Sequence, residues 1–285
     1  MPTPLAKKFT IADLRASRKS KRKTAMLTCY DFTTARLMQQ AGVPALLVGD
    51  SAANVILGYE TTLPVSLPFM IEITRAVRKG APLCLVMADM PFGSYHGSLD
   101  RGVRNVCRMV KQTGCDAVKI EAAASQLPLI RELADAGVAV IAHLGLKPQS
   151  VGVLGSYRFQ GRTAYDASAI VSFAIDAADA GAAGILLEAV PPEVSAAVVD
   201  AVDVPIIGCG AGPACDAHVF VTHDALGLSN RTPRFVPHLG DLATPMVAHF
   251  ADYVNIVERG EYPAVEHCYE MPADERAIFL RGIPF

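Results

Sequence analysis

The feature that most constrains this chain is a short apolar run that ends in polar residues and recurs along the sequence. The stretch 45–51, Ala-Leu-Leu-Val-Gly-Asp-Ser, is typical of a strand buried on both faces, as in a parallel sheet covered by helices. Similar runs occur at 86–89, 117–121, 140–143 and 185–188, and each carries an ionisable residue at or near its C-terminal end. We therefore expect parallel strands whose ionisable side chains lie at one edge of the sheet.

Strand and helix patterns alternate along the whole chain, which predicts a parallel sheet with right-handed crossovers. Eight such units within about 240 residues fit a closed α/β barrel, the (β/α)8 TIM barrel, better than an open sheet. We expect a single domain over 1–285, with an N-terminal extension at 1–23 and a C-terminal tail at 263–285. The last helix is expected at 244–259, because the tail shows no strong periodicity. The predicted strands are 24–30, 45–51, 83–90, 117–121, 138–144, 185–190, 204–208 and 221–226.

Two connections are longer than usual for a barrel of this size. The first runs from Ser51 to Pro68, and the second covers 147–164. Long loops in compact domains commonly serve as lids or binding loops, and the first is too apolar to resemble a disordered segment. We expect the first to form a lid or a wall of the substrate site.

Composition excludes several classes of function. The net charge of −2 favours neither nucleic acid nor an anionic membrane surface as a partner. Seven cysteines include no Cys-x-x-Cys pair, and Cys84, Cys107 and Cys115 lie in apolar or helical patterns where buried thiols are expected. Reduced thiols suit a cytoplasmic protein. No apolar run approaches the roughly 18 residues that span a bilayer.

The chemistry is expected at the C-terminal mouth of the barrel, where the ends of all eight strands converge. Any single aspartate there could merely cap the next helix. Ionisable groups at five consecutive strand ends, from the second strand to the sixth, are harder to attribute to capping. The side chains predicted to share one cleft are Asp31, Asp50, Ser51, Asp89, Lys119, Glu121, His143, Glu188 and Asp224.

Several carboxylates in one cleft repel each other unless a cation or shared protons relieve them. No thiolate or histidine cluster has the spacing of a zinc site, whereas one or two carboxylates with water is the usual way that Mg²⁺ is held. We expect Asp50 and Asp89 to bind Mg²⁺ directly, with Glu121 close behind, through water. Lys119 lies two residues from Glu121 on the same strand face and suits an anionic substrate group.

Nine short motifs, taken together and in order, resemble the ketopantoate hydroxymethyltransferase family. The resemblance runs from about Thr24 to Pro263, nearly the whole chain. The motifs are Cys-Tyr-Asp at 29–31, Val-Gly-Asp-Ser at 48–51, Thr-Thr-Leu-Pro-Val at 61–65, Ala-Asp-Met-Pro-Phe at 88–92, Val-Lys-Ile-Glu at 118–121, His-Leu-Gly-Leu-Lys-Pro-Gln-Ser at 143–150, Leu-Glu-Ala-Val-Pro at 187–191, Ile-Gly-Cys-Gly-Ala-Gly at 207–212 and His-Asp-Ala at 223–225.

The resemblance implies a barrel similar to those of phosphoenolpyruvate mutase and isocitrate lyase, in a homo-oligomer that is typically a decamer. It implies transfer of a hydroxymethyl group from 5,10-methylenetetrahydrofolate to 3-methyl-2-oxobutanoate, giving 2-dehydropantoate in pantothenate biosynthesis. By the family pattern, Glu188 is the base that removes the proton at C3. The keto acid is bound at Asp50, Ser51, Asp89, Lys119 and His143, and Mg²⁺ is held by Asp50 and Asp89, with Glu121 linked through water.

The sequence departs from the family pattern at several positions. Ala122 and Ala123 replace two common glycines, and we expect their methyl groups to narrow the mouth. Gly-Ser-Tyr-Arg at 155–158 replaces a frequent Gly-Gly-Tyr-Lys, and Cys209 replaces an aliphatic residue. None of these changes removes a proposed catalytic group.

Two other functions remain open at this point. The first is a carbon–carbon lyase or a mutase on the same barrel, which would act on another 2-keto acid. Enzymes of that kind resemble a keto-acid site with a cysteine in a lid loop, whereas this chain has no cysteine between Gly49 and Pro82. A non-catalytic paralogue would not need to keep the whole set of charged residues.

Some residues imitate functional motifs. The glycines at 208, 210 and 212 lack the dinucleotide-binding spacing and are expected to allow close backbone packing. Cys209 is expected to be a packed thiol, and His218 and His223 are expected to be structural.

Overall fold

A computed structural model of the chain describes residues 5–20, 22–155 and 158–282. Eight parallel strands close into a barrel in chain order, so that β1 pairs with both β2 and β8. The predicted (β/α)8 barrel is confirmed. The strands are β1 (Thr24–Thr28), β2 (Ala45–Val48), β3 (Leu85–Asp89), β4 (Ala117–Glu121), β5 (Val140–Gly145), β6 (Gly184–Glu188), β7 (Ile206–Cys209) and β8 (Ala217–His218).

Helices follow most of the strands and cover the outside of the barrel. The larger ones present an apolar stripe to the strands, and side-chain caps such as Ser98 and Thr163 define where they begin. The helices are α1 (Ile11–Ser20), α2 (Phe32–Gln40), α3 (Ala52–Val55), α4 (Leu67–Gly80), α5 (Leu99–Thr113), α6 (Leu127–Asp135), α7 (Val151–Leu154), α8 (Ala164–Asp179), α9 (Pro192–Ala201), α10 (Thr222–Ala225), α11 (Ala243–Glu258) and α12 (Ala273–Arg281).

The strands are apolar on both faces because each face packs against a different part of the core. Inward side chains such as Met26, Leu47 and Met87 fill the barrel, and Leu14 of α1 closes its N-terminal end. Outward side chains, including Leu46 and Val86, pack against the surrounding helices. Side chains alternate between the two faces with a period of two residues, and this alternation decides which polar residues can enter the barrel.

The eighth strand lies earlier in the chain than predicted. The prediction of 221–226 is wrong, because β8 is the two-residue strand Ala217–His218 and Thr222–Ala225 form α10. The hydroxyl of Thr28 accepts a hydrogen bond from the Thr222 backbone N–H (2.9 Å), and the Thr222 hydroxyl donates to the Thr28 carbonyl (2.7 Å). These side-chain bonds add to a backbone hydrogen bond from the Thr28 N–H to the Phe220 carbonyl (3.3 Å) and hold β1 against the start of α10.

The expected eight strand–helix units are also incomplete. Within the described residues, the segment 210–216 between β7 and β8 contains no helix. No side chain of α11 is buried in the part of the chain that the structure describes, so this helix does not cover the barrel as an eighth outer helix would. The tail also contains a helix, α12, so the expectation that α11 is the last helix is wrong.

The cysteines and loops differ in part from expectation. Cys84 and Cys115 are buried as predicted, but Cys107 is exposed because it lies on the solvent face of α5, and all seven cysteines are free thiols in the described structure. Ser156 and Tyr157, part of the departure from the family pattern, lie outside the described residues. Among the described helices, none has the length and apolar character to cross a membrane.

Candidate active site

The inward face of the strands changes from apolar to charged at the C-terminal end of the barrel. In β4, Ala117 lies in the apolar interior, and the same face continues through Lys119 to Glu121. The same alternation places Asp89, His143 and Glu188 on the inward faces of their strands. The parallel register sets Asp89 opposite Lys119, Glu121 opposite His143, and Glu188 opposite Cys209.

These residues surround one cavity of about 550 Å³ at the mouth of the barrel. Glu121 is buried beside it, and its Oε1 lies 3.9 Å from His143 Nδ1. Asp31, in contrast, is exposed and caps α2 by accepting a hydrogen bond from the Thr34 N–H (2.8 Å). The predicted residues that line the cavity are Asp50, Ser51, Asp89, Lys119, His143, Glu188 and Asp224.

The two long loops form parts of the cavity wall. Asn54 and Thr62 come from the loop after β2, and Pro148 and Phe159 come from the loop after β5. The first loop thus forms part of a wall, one of the two expected roles, and it contains the short helix α3 directly after Ser51.

Lys119 is the central cation of the site. Its Nζ lies 3.1 Å from Asp89 Oδ2 and 3.2 Å from His143 Nδ1. Burial acts to lower the pKa of Lys119, but Asp89, Asp50, Glu121 and Glu188 outweigh it and raise the pKa. Lys119 therefore stays protonated and donates its hydrogen bond to the imidazole.

His143 is held as a neutral imidazole. Burial lowers its pKa well below the usual value, and the charge of Lys119 acts in the same direction. Because Nδ1 accepts from Lys119, the proton resides on Nε2, which lies 3.2 Å from Glu188 Oε2. Nε2 forms no hydrogen bond to any described residue, so it is available to a ligand in the cavity.

Glu188 has the properties of a general base. Burial raises its pKa to about 7, against the opposing effect of Lys119, which places the group where it can both take and release a proton near neutral pH. The backbone around it is tightly constrained. Ala189 has a positive φ of 47°, and a Cβ on Gly145 would lie 2.3 Å from the Glu188 carbonyl oxygen, so only glycine fits there.

Asp50, Asp89 and Glu121 fit a hard cation in their donor chemistry. Asp89 Oδ1 and Glu121 Oε2 are buried with no hydrogen-bond partner among the described residues. Burial raises the pKa of Asp89 to about 7 and that of Glu121 to about 8, against the opposing effect of Lys119. No three His, Cys, Asp or Glu side chains within the described ranges are arranged to hold a metal together, a finding compatible with Mg²⁺ held by two carboxylates and water.

The sequence analysis missed two residues that shape this site. Gln149 donates to Asp50 Oδ2 (2.7 Å), and the Tyr30 hydroxyl lies 2.9 Å from the Ser51 hydroxyl. Both residues fall within the family-like motifs, which was the available signal. Tyr30 ends the first predicted strand, but neither side chain is charged at neutral pH, so the pattern of charged strand ends could not identify them.

The glycines of the turn after β7 pack closely, as predicted. A Cβ at Gly208 would lie 2.8 Å from Cys215 Sγ, one at Gly210 would lie 2.5 Å from the Phe235 ring, and one at Gly212 would lie 2.6 Å from Pro192 Cβ. Cys209 lines the cavity, and burial raises its pKa well above the usual value, with Glu188 adding to the effect. A thiol that stays protonated does not suit a nucleophile.

The fold and site define a class: a (β/α)8-barrel protein with a buried lysine–histidine–carboxylate site at its C-terminal mouth. Solved structures support the fold. Phosphonopyruvate hydrolase is similar with a TM-score of 0.61 at 16% identity, covering 96% of this chain and 95% of its own. A 2,3-dimethylmalate lyase, described as a member of the PEP mutase/isocitrate lyase superfamily, is similar with a TM-score of 0.58 at 17% identity, covering 97% and 95%.

Sequence comparison is more specific. The profile of the ketopantoate hydroxymethyltransferase family matches residues 8–265, and the chain therefore belongs to this family. The 3-methyl-2-oxobutanoate hydroxymethyltransferase of Geobacillus thermodenitrificans is 42% identical over 274 residues, 96% of this chain and 98% of that protein. The enzyme of the same name from Frankia alni is 44% identical over 269 residues, 94% of this chain and 88% of that protein.

Proposed function

We propose that this protein transfers a hydroxymethyl group from 5,10-methylenetetrahydrofolate to 3-methyl-2-oxobutanoate, giving 2-dehydropantoate for pantothenate biosynthesis. The observation that carries the proposal is the placement of Glu188, a carboxylate with a pKa near 7, in the same cavity as Lys119, His143 and the Asp50–Asp89 pair. The proposed substrates are those of the family to which the chain belongs. The geometry supports Glu188 as the base and Lys119 as the cationic binding group.

The keto acid binds through a cation and neutral donors. Lys119 offers a positive charge to an anionic oxygen, and His143 offers its Nε2–H, which the described residues leave without an acceptor. The Ser51 hydroxyl, held by Tyr30, adds a third polar contact. A neutral histidine is useful here because it donates a hydrogen bond without protonating the base beside it.

Glu188 removes the proton from C3 of the keto acid. The raised pKa makes Glu188 a stronger base than an ordinary carboxylate, so proton transfer from a weak carbon acid is less unfavourable. Water releases the one-carbon unit of the folate as formaldehyde, which breaks its two C–N bonds and leaves tetrahydrofolate. The enolate carbon then attacks the formaldehyde carbon to form the new C–C bond, and the resulting alkoxide takes up the proton held by Glu188 to become the hydroxyl of the product. Phe159 and Phe235 line the cavity and are partly exposed, which suits the entry side for a large co-substrate.

Asp50 and Asp89 would hold Mg²⁺, with Glu121 linked through water. When bound, the cation withdraws electron density from the keto acid and stabilises the negative charge that develops on its oxygen. The support for this assignment is the chemistry of the donor set and the two buried carboxylate oxygens, one on Asp89 and one on Glu121, that have no partner among the described residues.

The protein is also proposed to form a homo-oligomer, with ten copies as the number that the family resemblance implies. The support is the apolar surface of α11, where Val247 and Phe250 are 66% and 62% exposed. Within the described residues, the barrel also lacks a helix after β7. We propose that a second copy of this chain covers the exposed apolar surface of α11. Light scattering should give a mass near ten chains of 30.2 kDa, and Phe250→Asp should reduce it. A wild-type mass of one chain would contradict the oligomer.

The function is tested by product formation with 5,10-methylenetetrahydrofolate and Mg²⁺ across a panel of 2-keto acids. We expect the hydroxymethylated product from 3-methyl-2-oxobutanoate, dependent on the folate, and slower turnover of keto acids with other C3 substituents. Cleavage or rearrangement of another 2-keto acid without folate, and no product from 3-methyl-2-oxobutanoate, would instead indicate a lyase or mutase.

A further inference from the structure

Gln149 is the most highly connected neutral side chain of the site, although it was not among the predicted site residues. It lies in the 3₁₀ turn Pro148–Ser150 after β5 and is 6% exposed. Its Nε2 donates to Asp50 Oδ2 (2.7 Å) and to the Met90 carbonyl (3.0 Å). Its Oε1 accepts from the Tyr95 hydroxyl (2.7 Å). The residue thus joins the loop after β5 to the ends of β2 and β3.

The backbone of the same residue reaches the end of β4. The Gln149 N–H donates to Glu121 Oε1 at 2.9 Å, so one residue contacts both Asp50 and Glu121 through separate groups. Hydrogen bonds to a carboxylate restrict its rotation and so fix the direction in which its remaining lone pairs point. Gln149 is therefore placed to set the relative orientation of these two carboxylates.

The orientation of the Gln149 amide is determined by its partners. Nε2 faces a carboxylate oxygen and a carbonyl oxygen, both of which only accept hydrogen bonds, so the rotated amide would direct its oxygen at two acceptors. The Tyr95 hydroxyl donates to Oε1 and holds this arrangement. Both amide hydrogens and the amide oxygen are used, which leaves the side chain no alternative rotamer of equal energy.

A neutral donor has a specific advantage at this position. A lysine or arginine beside Asp50 would compensate its charge and compete with a cation, whereas an amide donates a hydrogen bond and leaves the full negative charge in place. We propose that Gln149, itself held by Tyr95, is the positioning residue that orients Asp50 and Glu121 for a divalent cation. This inference rests on the proposed function, because it assumes that the cavity binds such a cation.

The test measures cation binding directly on the full-length protein, with Mn²⁺ followed by EPR and Mg²⁺ by calorimetry. Gln149→Met keeps the length of the side chain and removes its hydrogen bonds. We expect its affinity for both ions to fall about 10- to 100-fold, the range seen for partners of metal ligands. Saturating Mg²⁺ should restore most of kcat for C3 hydrogen exchange, because the fault lies in cation binding, and a general structural defect would not be rescued in this way.

Gln39→Met is the matched control. The Gln39 Oε1 accepts from the Leu83 N–H (2.7 Å) near the other end of β3, so this variant also loses an amide hydrogen bond but leaves the mouth unchanged. It should bind Mn²⁺ and Mg²⁺ as the wild type does. Equal affinity of Gln149→Met and wild type would overturn the role of Gln149.

Tyr95→Phe keeps the proposal testable if Gln149→Met fails to fold. This variant removes only the hydroxyl that holds Oε1, and we expect a smaller loss of affinity, about threefold to tenfold, as for one lost hydrogen bond. If Gln149→Met does not fold, a folded Tyr95→Phe that binds both ions with wild-type affinity would overturn the role of Gln149. A wild-type protein that binds neither Mn²⁺ nor Mg²⁺ would overturn the metal assignment in the proposed function, an outcome distinct from failure of the Gln149 role alone.

Discussion

The two ends of the barrel both contain aspartates close to strand termini, but they differ in how completely the negative charges are paired. At the N-terminal end, Asp216 accepts from Arg18 (3.0 Å) and from the Ile206 N–H (2.8 Å). Asp116 accepts from Arg78 (2.7 Å) and from the Val86 N–H (2.9 Å) in the same pattern. Each aspartate precedes a strand and is paired with an arginine, so this end is built for stability.

The C-terminal end leaves its carboxylates incompletely paired. Lys119 is shared among several acids, and Asp89 Oδ1 and Glu121 Oε2 have no partner among the described residues. Burial raises the pKa values of Asp89, Glu121 and Glu188 to about 7, 8 and 7. The N-terminal end therefore pairs the buried Asp216 and the partly buried Asp116 each with an arginine and a backbone N–H. The unsatisfied set at the mouth is therefore best explained by function.

The largest effect is expected from Glu188→Gln, which removes a charge from the mouth and keeps its size. Exchange of the C3 hydrogen of 3-methyl-2-oxobutanoate with deuterium should slow by about 10²- to 10⁴-fold, because the base is lost. The melting temperature should stay the same or rise, because a buried carboxylate is removed. Proton NMR measures the exchange, and a variant that exchanges at the wild-type rate would remove Glu188 from its role.

Asp216→Ala, at the N-terminal end, should have the opposite pattern of effects. It should lower the free energy of unfolding and leave the rate of C3 hydrogen exchange unchanged. It leaves the mostly buried Arg18 without its carboxylate, and we expect a loss of about 3 kcal/mol in the free energy of unfolding. Denaturant unfolding at a fixed protein concentration measures the loss. The exposed Asp200 on α9 gives a matched control, since Asp200→Ala should change stability by less than about 0.5 kcal/mol. Equal effects of the two variants would remove the contrast between the ends.

A smaller effect is expected from pH. Because burial raises the pKa of Glu188 to about 7, kcat/KM for exchange should fall about fivefold between pH 7 and pH 6 and level off above about pH 8. A profile whose acidic limb lies near pH 4.5 would contradict the raised pKa.

The same pKa shift has a consequence for stability. Between pH 4.5 and 7, native Glu188 keeps a proton that the unfolded chain has lost. Its stabilising contribution is full below pH 4.5 and is lost as pH rises through 7. Glu188→Gln should remove this part of the pH dependence from the unfolding free energy, and an unchanged pH dependence would contradict the assignment.

The smallest effects are expected at Ala122 and Ala123, which replace two common family glycines. The expected narrowing of the mouth has no support in the structure, since neither residue lines the cavity; Ala122 packs in the core and Ala123 is exposed. Ala122→Gly should cost about 1 kcal/mol in stability, and Ala123→Gly less. Neither should change the order of preference among 2-keto acids, and a changed order in the panel assay would restore the original expectation.

The sequence was sufficient to predict the barrel and those of its elements that have a clear periodic pattern. The strand at 117–121 was predicted with its observed bounds, and the family resemblance is confirmed by the matched profile. The strand-end pattern also identified Asp50, Asp89, Lys119, His143 and Glu188, because inward alternation and barrel closure bring them together without further information.

The parts that sequence could not predict depend on contacts between distant residues. The eighth strand has only two residues, too few for a periodic signal, and its position depends on hydrogen bonds between Thr28 and Thr222. Asp31 fits the strand-end pattern but caps a helix. Gln149 gives no signal beyond its place in a family-like motif, because its importance comes from neighbours at the ends of β2, β3 and β4.

We propose that the carboxylates at the mouth of the barrel act in one cavity, where some bind a cation and Glu188 is the base. The most direct measurement is deuterium exchange at C3 of 3-methyl-2-oxobutanoate by the wild-type protein without folate, followed by NMR while Mg²⁺ is added and then removed with a chelator. We expect exchange to begin when Mg²⁺ is added and to stop on chelation. Exchange that continues unchanged without the ion, or that never begins with it, would remove the proposed link between the cation and the base.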